Sequence, residues 1–125
     1  MPKGLVAIVD DDEMVRMATA SLLNSFGIFT LHFASARQFL EANRKNIACL
    51  ITDIQMPDMS GLDLLRVLRQ ARDRLPVILI TAFATPTLLT QIEPLETAGL
   101  LEKPLDGDKL IALVLAALDE GKEQP

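Results

Sequence analysis

Three consecutive aspartates, Asp10, Asp11 and Asp12, close the apolar run Leu5 to Val9, and another, Asp53, closes the run Ala48 to Thr52. Carboxylates gathered at one place cannot all stay ionised without compensation, so such a cluster either raises a pKa or binds a cation. A hard divalent ion with oxygen ligands meets the second demand, and Mg2+ is the usual one where phosphate is involved. Two further run ends carry complementary chemistry. Thr81 closes Val77 to Ile80 with a hydroxyl, and Lys103 follows Leu100 and Leu101 with a fixed positive charge. Brought together, these groups could hold a phosphoryl group: Mg2+ and Lys103 neutralise its oxygens while Thr81 donates a hydrogen bond. Asp12 and Glu13 also fit a plainer role as helix N-cap and acidic first turn, and Asp53 taken alone fits a turn. The coincidence of chemistry at four of five run ends argues for a site.

Those ends belong to elements that can be read from the apolar pattern. Five short runs (Leu5 to Val9, Ile28 to Phe33, Ala48 to Thr52, Val77 to Ile80, Leu100 to Leu101) alternate with longer helical periods near 13–26, 35–44, 60–72, 86–97 and 106–119. Continuous apolar strands alternating with helices are the form of a parallel sheet covered on both faces, here an α/β doubly wound sheet of five strands. Ser35 with Gln38, and Ser60 with Asp63, have capping-box spacing, and Asp106 suits an N-cap. Gly27 and Gly99 are placed where a helix end calls for a left-handed residue. In such a sheet ligands bind outside the strand C-terminal ends. If strands one and three are neighbours, as in the order 2-1-3-4-5, Asp53 lies beside Asp10 and Asp11.

A length of 125 residues is one domain, placed at 1–120, with 121–125 as a tail or the start of a linker. Half of the residues are hydrophobic, which provides a core and excludes disorder. The net charge of −5 argues against a direct grip on nucleic acid and for protein or cation partners. The single cysteine, Cys49, excludes an internal disulfide or a multi-thiolate metal site, and reads as a small core residue. The early apolar run is too short for a signal or a membrane span, so the expectation is a cytoplasmic protein without membrane contact.

The stretches IVDDDEMVR at 8–16, LITDIQMPDMSGLDLL at 50–65, ILITA at 78–82 and LEKPL at 101–105 make the chain resemble the receiver domain of two-component response regulators over nearly its whole length. The wording TDIQMPDMSG and LEKP is similar to the subclass often joined to helix-turn-helix output domains. The resemblance implies a flavodoxin-like (βα)5 fold in the order 2-1-3-4-5, and a phosphoacceptor, Asp53, that takes a phosphoryl group from a sensor histidine kinase or a histidine phosphotransfer protein. It implies Mg2+ held by Asp10, Asp11, Asp53 and the main-chain carbonyl of Gln55, with Thr81 and Lys103 on the phosphoryl oxygens. Ala82 would leave the group accessible, Gln55 and Phe83 would tune its lifetime, and the Lys103–Pro104 bond would be cis. The implied partner is a downstream protein or a fused output domain, met through the face of helix four, strand five and helix five, with room for a phosphorylation-dependent dimer. Apart from phosphorylation and autodephosphorylation at Asp53, no enzymatic activity is implied.

Two residues depart from that pattern. Leu100 stands where receivers usually carry Tyr or Phe, so the usual coupling of threonine and aromatic ring is in question. Pro94 falls inside the fourth helical period, where a proline costs roughly 3 kcal/mol, and predicts a kinked or shortened helix. Both departures motivate an alternative, a receiver-like binding module that acts independently of phosphorylation. An aspartate-nucleophile phosphatase fits less well, because Met14 stands where the Asp-x-Asp-x-Thr/Val pattern needs Thr or Val. On the last helix, Leu110, Val114, Ala117 and Leu118 form a core stripe, while Ile111 and Leu115 point to a wider buried face or a partner site.

Overall fold

Every residue of the first strand beyond Leu5 is buried, and alternate side chains feed two separate cores. The computed structural model describes residues 4–123, with side chains through Asp119. Its elements are β1 (Leu5–Val9), α1 (Glu13–Ser25), β2 (Thr30–Phe33), α2 (Ala36–Glu41), β3 (Ile47–Asp53), α3 (Gly61–Gln70), β4 (Val77–Thr81), α4 (Pro86–Ile92), β5 (Gly99–Glu102) and α5 (Gly107–Glu123). All five strands are parallel, in the order β2-β1-β3-β4-β5. Val6 and Ile8 join a core with Leu23 of α1 and Leu110 and Val114 of α5. Ala7 and Val9 join the other, with Phe39, Leu64, Leu68 and Leu88 of α2, α3 and α4. Period-two side chains buried on both faces explain why the three central strands read as unbroken apolar runs.

The helix starts follow their capping residues. Ser60 and Asp63 form the reciprocal box, each side chain accepting from the other's amide. Ser35 accepts from the Gln38 amide, but the Gln38 side chain reaches the Ala34 amide and leaves the box half formed. Asp106 accepts from the amides of Asp108 and Lys109. The buried Ile28 precedes β2 instead of opening it, because its amide closes α1 on the Leu23 carbonyl. Helix α2 ends at Glu41, where Ala42 turns to extended backbone. Helix α5 continues to Glu123, past the boundary set at residue 120, and residues 124 and 125 lie outside the described part.

The fourth helix is shortened as Pro94 predicts, and one glycine departs from the reading of the sequence. The fourth helix stops at Ile92 and hands over to a 3-10 turn, Glu93–Leu95, with Pro94 inside it. A proline lacks the N–H and crowds the preceding turn, so the α-helix ends before it. The left-handed residue at that end is Glu96, at φ 54°, and not Gly99. Gly99 opens β5, and its lack of a side chain serves packing: a Cβ there would stand 2.6 Å from the Leu113 side chain of α5. Gly27 does adopt a left-handed φ of 77° after α1. Cys49 is fully buried in β3, His32 lies exposed on the edge strand β2, and Ile111 is buried while Leu115 is exposed.

Candidate functional site

Strand register decides which side chains meet. Val9 pairs with Thr52, so Asp10 and Asp53 reach the end of the sheet side by side. Thr81 pairs with Glu102, and Lys103 follows. The ladder continues one step past the strands through Ile54 N–H to Ile80 C=O at 2.8 Å and Lys103 N–H to Thr81 C=O at 2.8 Å. The chain leaves β1 for a helix on one face and β3 for a helix on the other, which opens the crevice where ligands of doubly wound sheets bind.

One carboxylate oxygen from each of Asp10, Asp11 and Asp53 lies within 4.8 Å of the others, with Asp10 and Asp53 buried and Asp11 exposed. Asp10 is fixed from two sides: its Oδ1 accepts from the Asp12 amide at 2.9 Å, and its backbone carbonyl accepts from the Arg16 guanidinium at 2.7 Å. Asp12 has the plainer role, accepting from the amides of Met14 and Val15 as the N-cap of α1. Burial pushes the Asp10 carboxyl up, and the Asp53 charge adds to this, against the Asp12 amide and Lys103. Burial likewise pushes Asp53 up, while the Lys103 ammonium and the Ile54 amide pull it down. Lys103 Nζ stands 3.4 Å from Asp53 Oδ1, and that oxygen accepts no hydrogen bond from any described residue. An all-oxygen acidic set with an unsatisfied buried oxygen fits a hard divalent cation such as Mg2+.

The Thr81 hydroxyl is fully buried and engaged by neighbours other than Asp53: Gln55 Nε2 donates to it at 3.1 Å, and it contacts the amide and carbonyl of Phe83 at 3.3 Å each. Gln55 and Ala82 are exposed beside it, and the Ala82 amide approaches Gln55 Oε1 at 3.5 Å. Phe83 enters this network through its backbone, and the residue is 74% exposed. Leu100 stays out of the cleft, half-buried against the core of α2, α3 and α4. The Lys103–Pro104 peptide bond is cis. Met56 and Met59 lie in the loop after β3, half-buried against the same core.

Three contributors escape a reading by residue type. Arg16 holds the backbone of Asp10, and Glu102 accepts from the Ala84 amide at 2.8 Å. Gly61 lets α3 begin directly against the back of the site, since a Cβ there would collide with the Asp53 carbonyl oxygen. The only trace of this in the sequence is a glycine right after the capping Ser60.

Comparison with known proteins agrees with the geometry. Residues 6–115 match the family described as response regulator receiver domain. The chain is 38% identical over 126 residues to the transcriptional regulatory protein FixJ of Azorhizobium caulinodans, covering 99% of this chain and 60% of that protein. It is 33% identical to the response regulator protein TodT of Pseudomonas putida, covering 97% of this chain and 54% of that protein. The chain thus spans little more than half the length of these relatives. The crystal structure of FixJ-N superposes with a TM-score of 0.84 at 32% identity, covering 95% of this chain and 96% of that one.

Proposed function

This chain belongs to the response regulator receiver domain family, and from that premise we propose that it accepts a phosphoryl group on Asp53 from a phosphohistidine of a sensor kinase or phosphotransfer protein. The observation that carries this reading is the buried Asp53 oxygen that accepts no hydrogen bond from any described residue, set beside Lys103 and two further carboxylates. The Asp53 carboxylate attacks phosphorus, a new O–P bond forms as the N–P bond breaks, and the imidazole nitrogen leaves with the electron pair. Asp10, Asp11, Asp53 and the main-chain carbonyl of Gln55 would hold Mg2+, which when bound supplies charge neutralisation for the phosphoryl oxygens. Lys103 neutralises oxygens on the other side, and Thr81 donates a hydrogen bond once its hydroxyl is released.

The acyl phosphate is later cleaved by water at the same residue, so the protein works as a timed switch and not as an enzyme with a separate substrate. Gln55, Ala82 and Phe83 border the route of that water. The signal leaves through the face of α4, β5 and α5 to a downstream protein, a fused output domain or a second copy of the chain, in the cytoplasm. Mass spectrometry after incubation with acetyl phosphate and Mg2+ tests the reading. One added phosphoryl group is expected in the wild type and none in Asp53→Asn, and an unchanged wild-type mass would refute it. The half-buried Leu100, with no aromatic ring to couple to Thr81, favours a second reading as a binding module indifferent to phosphorylation, for which partner affinity would be equal in both states.

A further inference from the structure

The segment joining β4 to α4 is tied down by side chains from two other strand ends. Gln55, after β3, donates to the Thr81 hydroxyl at 3.1 Å and faces the Ala82 amide at 3.5 Å. Glu102, the last residue of β5, accepts from the Ala84 amide through Oε2 at 2.8 Å. Between these ties lies Phe83, whose carbonyl accepts from the Thr81 hydroxyl and whose amide donates to it. A hydroxyl has one proton and two lone pairs. Here the proton is taken by the Phe83 carbonyl and the lone pairs by Gln55 and the Phe83 amide, so a phosphoryl oxygen on Asp53 must displace Phe83 to be bound by Thr81.

We infer that Glu102 and the Gln55 side chain are positioning residues. They hold residues 82–84 against Thr81, and the strength of that hold sets how often the Thr81 hydroxyl is free to donate to a phosphoryl group. The inference rests on the reading of Asp53 as phosphoacceptor. It describes two states of one loop, held with Thr81 engaged internally, or released with Thr81 free. A ligand shifts such an equilibrium only through its differential contacts with the two states, and its apparent affinity falls with the fraction of molecules in the competent one. Glu102 is joined by one peptide bond to Lys103, which faces Asp53 at 3.4 Å, so the loop tie and the phosphoryl-binding cation share a strand end.

The test compares wild type, Glu102→Gln and Glu102→Ala. Both variants remove the same charge, but only glutamine keeps an acceptor oxygen for the Ala84 amide, so their difference reports the tie and not the field of the carboxylate on the cleft. Amide hydrogen exchange at Ala84 and calorimetric affinity for beryllofluoride with Mg2+ are the two readouts. Glu102→Ala is expected to exchange roughly tenfold faster at Ala84 and to bind beryllofluoride about threefold to tenfold more tightly than Glu102→Gln. Equal exchange and affinity in the two variants, or weaker binding by Glu102→Ala, would overturn the inference. A wild type that takes up no beryllofluoride would overturn the Asp53 reading and the inference with it. The two failures are distinct, one showing as equal variants and the other as a silent wild type.

Discussion

At the C-terminal end of the sheet a buried charge is left short of partners, and at the far end of α3 a half-buried charge is held by four. Arg69 donates to the carbonyls of Leu95 at 2.7 Å, Asp73 at 2.7 Å, Leu75 at 3.0 Å and Glu96 at 3.2 Å. It thereby ties the end of α3 to the turn after α4. Burial shifts both groups against their charged forms, Arg69 downward and Asp53 upward. The arginine answers with four carbonyl acceptors, while Asp53 Oδ1 accepts no hydrogen bond from any described residue and stands 3.4 Å from the Lys103 ammonium. A charge held by several hydrogen bonds stabilises one conformation. A charge left incomplete destabilises the resting state and keeps its lone pairs available for a cation or an electrophile.

The largest test of this contrast is Arg69→Ala, which orphans carbonyls from two segments and is expected to lower stability by about 2–4 kcal/mol in urea titration. Phosphoryl uptake per folded molecule should be unchanged. Arg69→Lys should recover little, since one ammonium cannot reproduce the planar fork. Gly61→Ala, which forces a side chain against the Asp53 carbonyl, should cost about 1–3 kcal/mol and, unlike Arg69→Ala, also reduce phosphoryl uptake.

Asp53→Asn should move stability the other way, raising the thermal midpoint at pH 7 by a few degrees in the absence of Mg2+, an effect on the order of 1 kcal/mol. The sign follows from linkage. In the fold the Asp53 carboxyl keeps its proton to a higher pH than its ordinary value of 3.8, so wild-type stability falls as pH rises from there through the raised value. The advantage of asparagine is therefore expected to shrink below pH 3.8 and to be full at neutrality. Mg2+ should raise the wild-type midpoint and leave that of Asp53→Asn nearly unmoved. The smallest effect is expected for Phe83→Ala, whose ring stands in solvent: a stability change within about 0.5 kcal/mol by urea titration.

Asp10, Asp53, Thr81 and Lys103 were legible in the sequence because each ends an apolar run, and a parallel sheet brings such ends to one edge. The break at Pro94 was legible because proline acts through its own covalent structure. Arg69 was not legible, since its partners are backbone carbonyls, which every residue has and which only the packed chain can bring together. Glu102 was hidden for the same reason, its partner being the Ala84 amide. The Gly99 expectation failed because glycine answers two different demands, a left-handed backbone or a close neighbour, and its letter does not say which; the left-handed place went to Glu96.

The break before Pro94 also has a mechanical side. Seven residues of α-helix make a rod about 10 Å long, against roughly 18 Å for the twelve-residue period that the sequence outlines. For a tilt of given angle the sweep of the tip scales with length, so this stub would displace anything resting on its far end only a little over half as far. Were residues 82–84 released as inferred above, the larger share of any change in relief on that side would fall to this strap, with the short helix as its anchor.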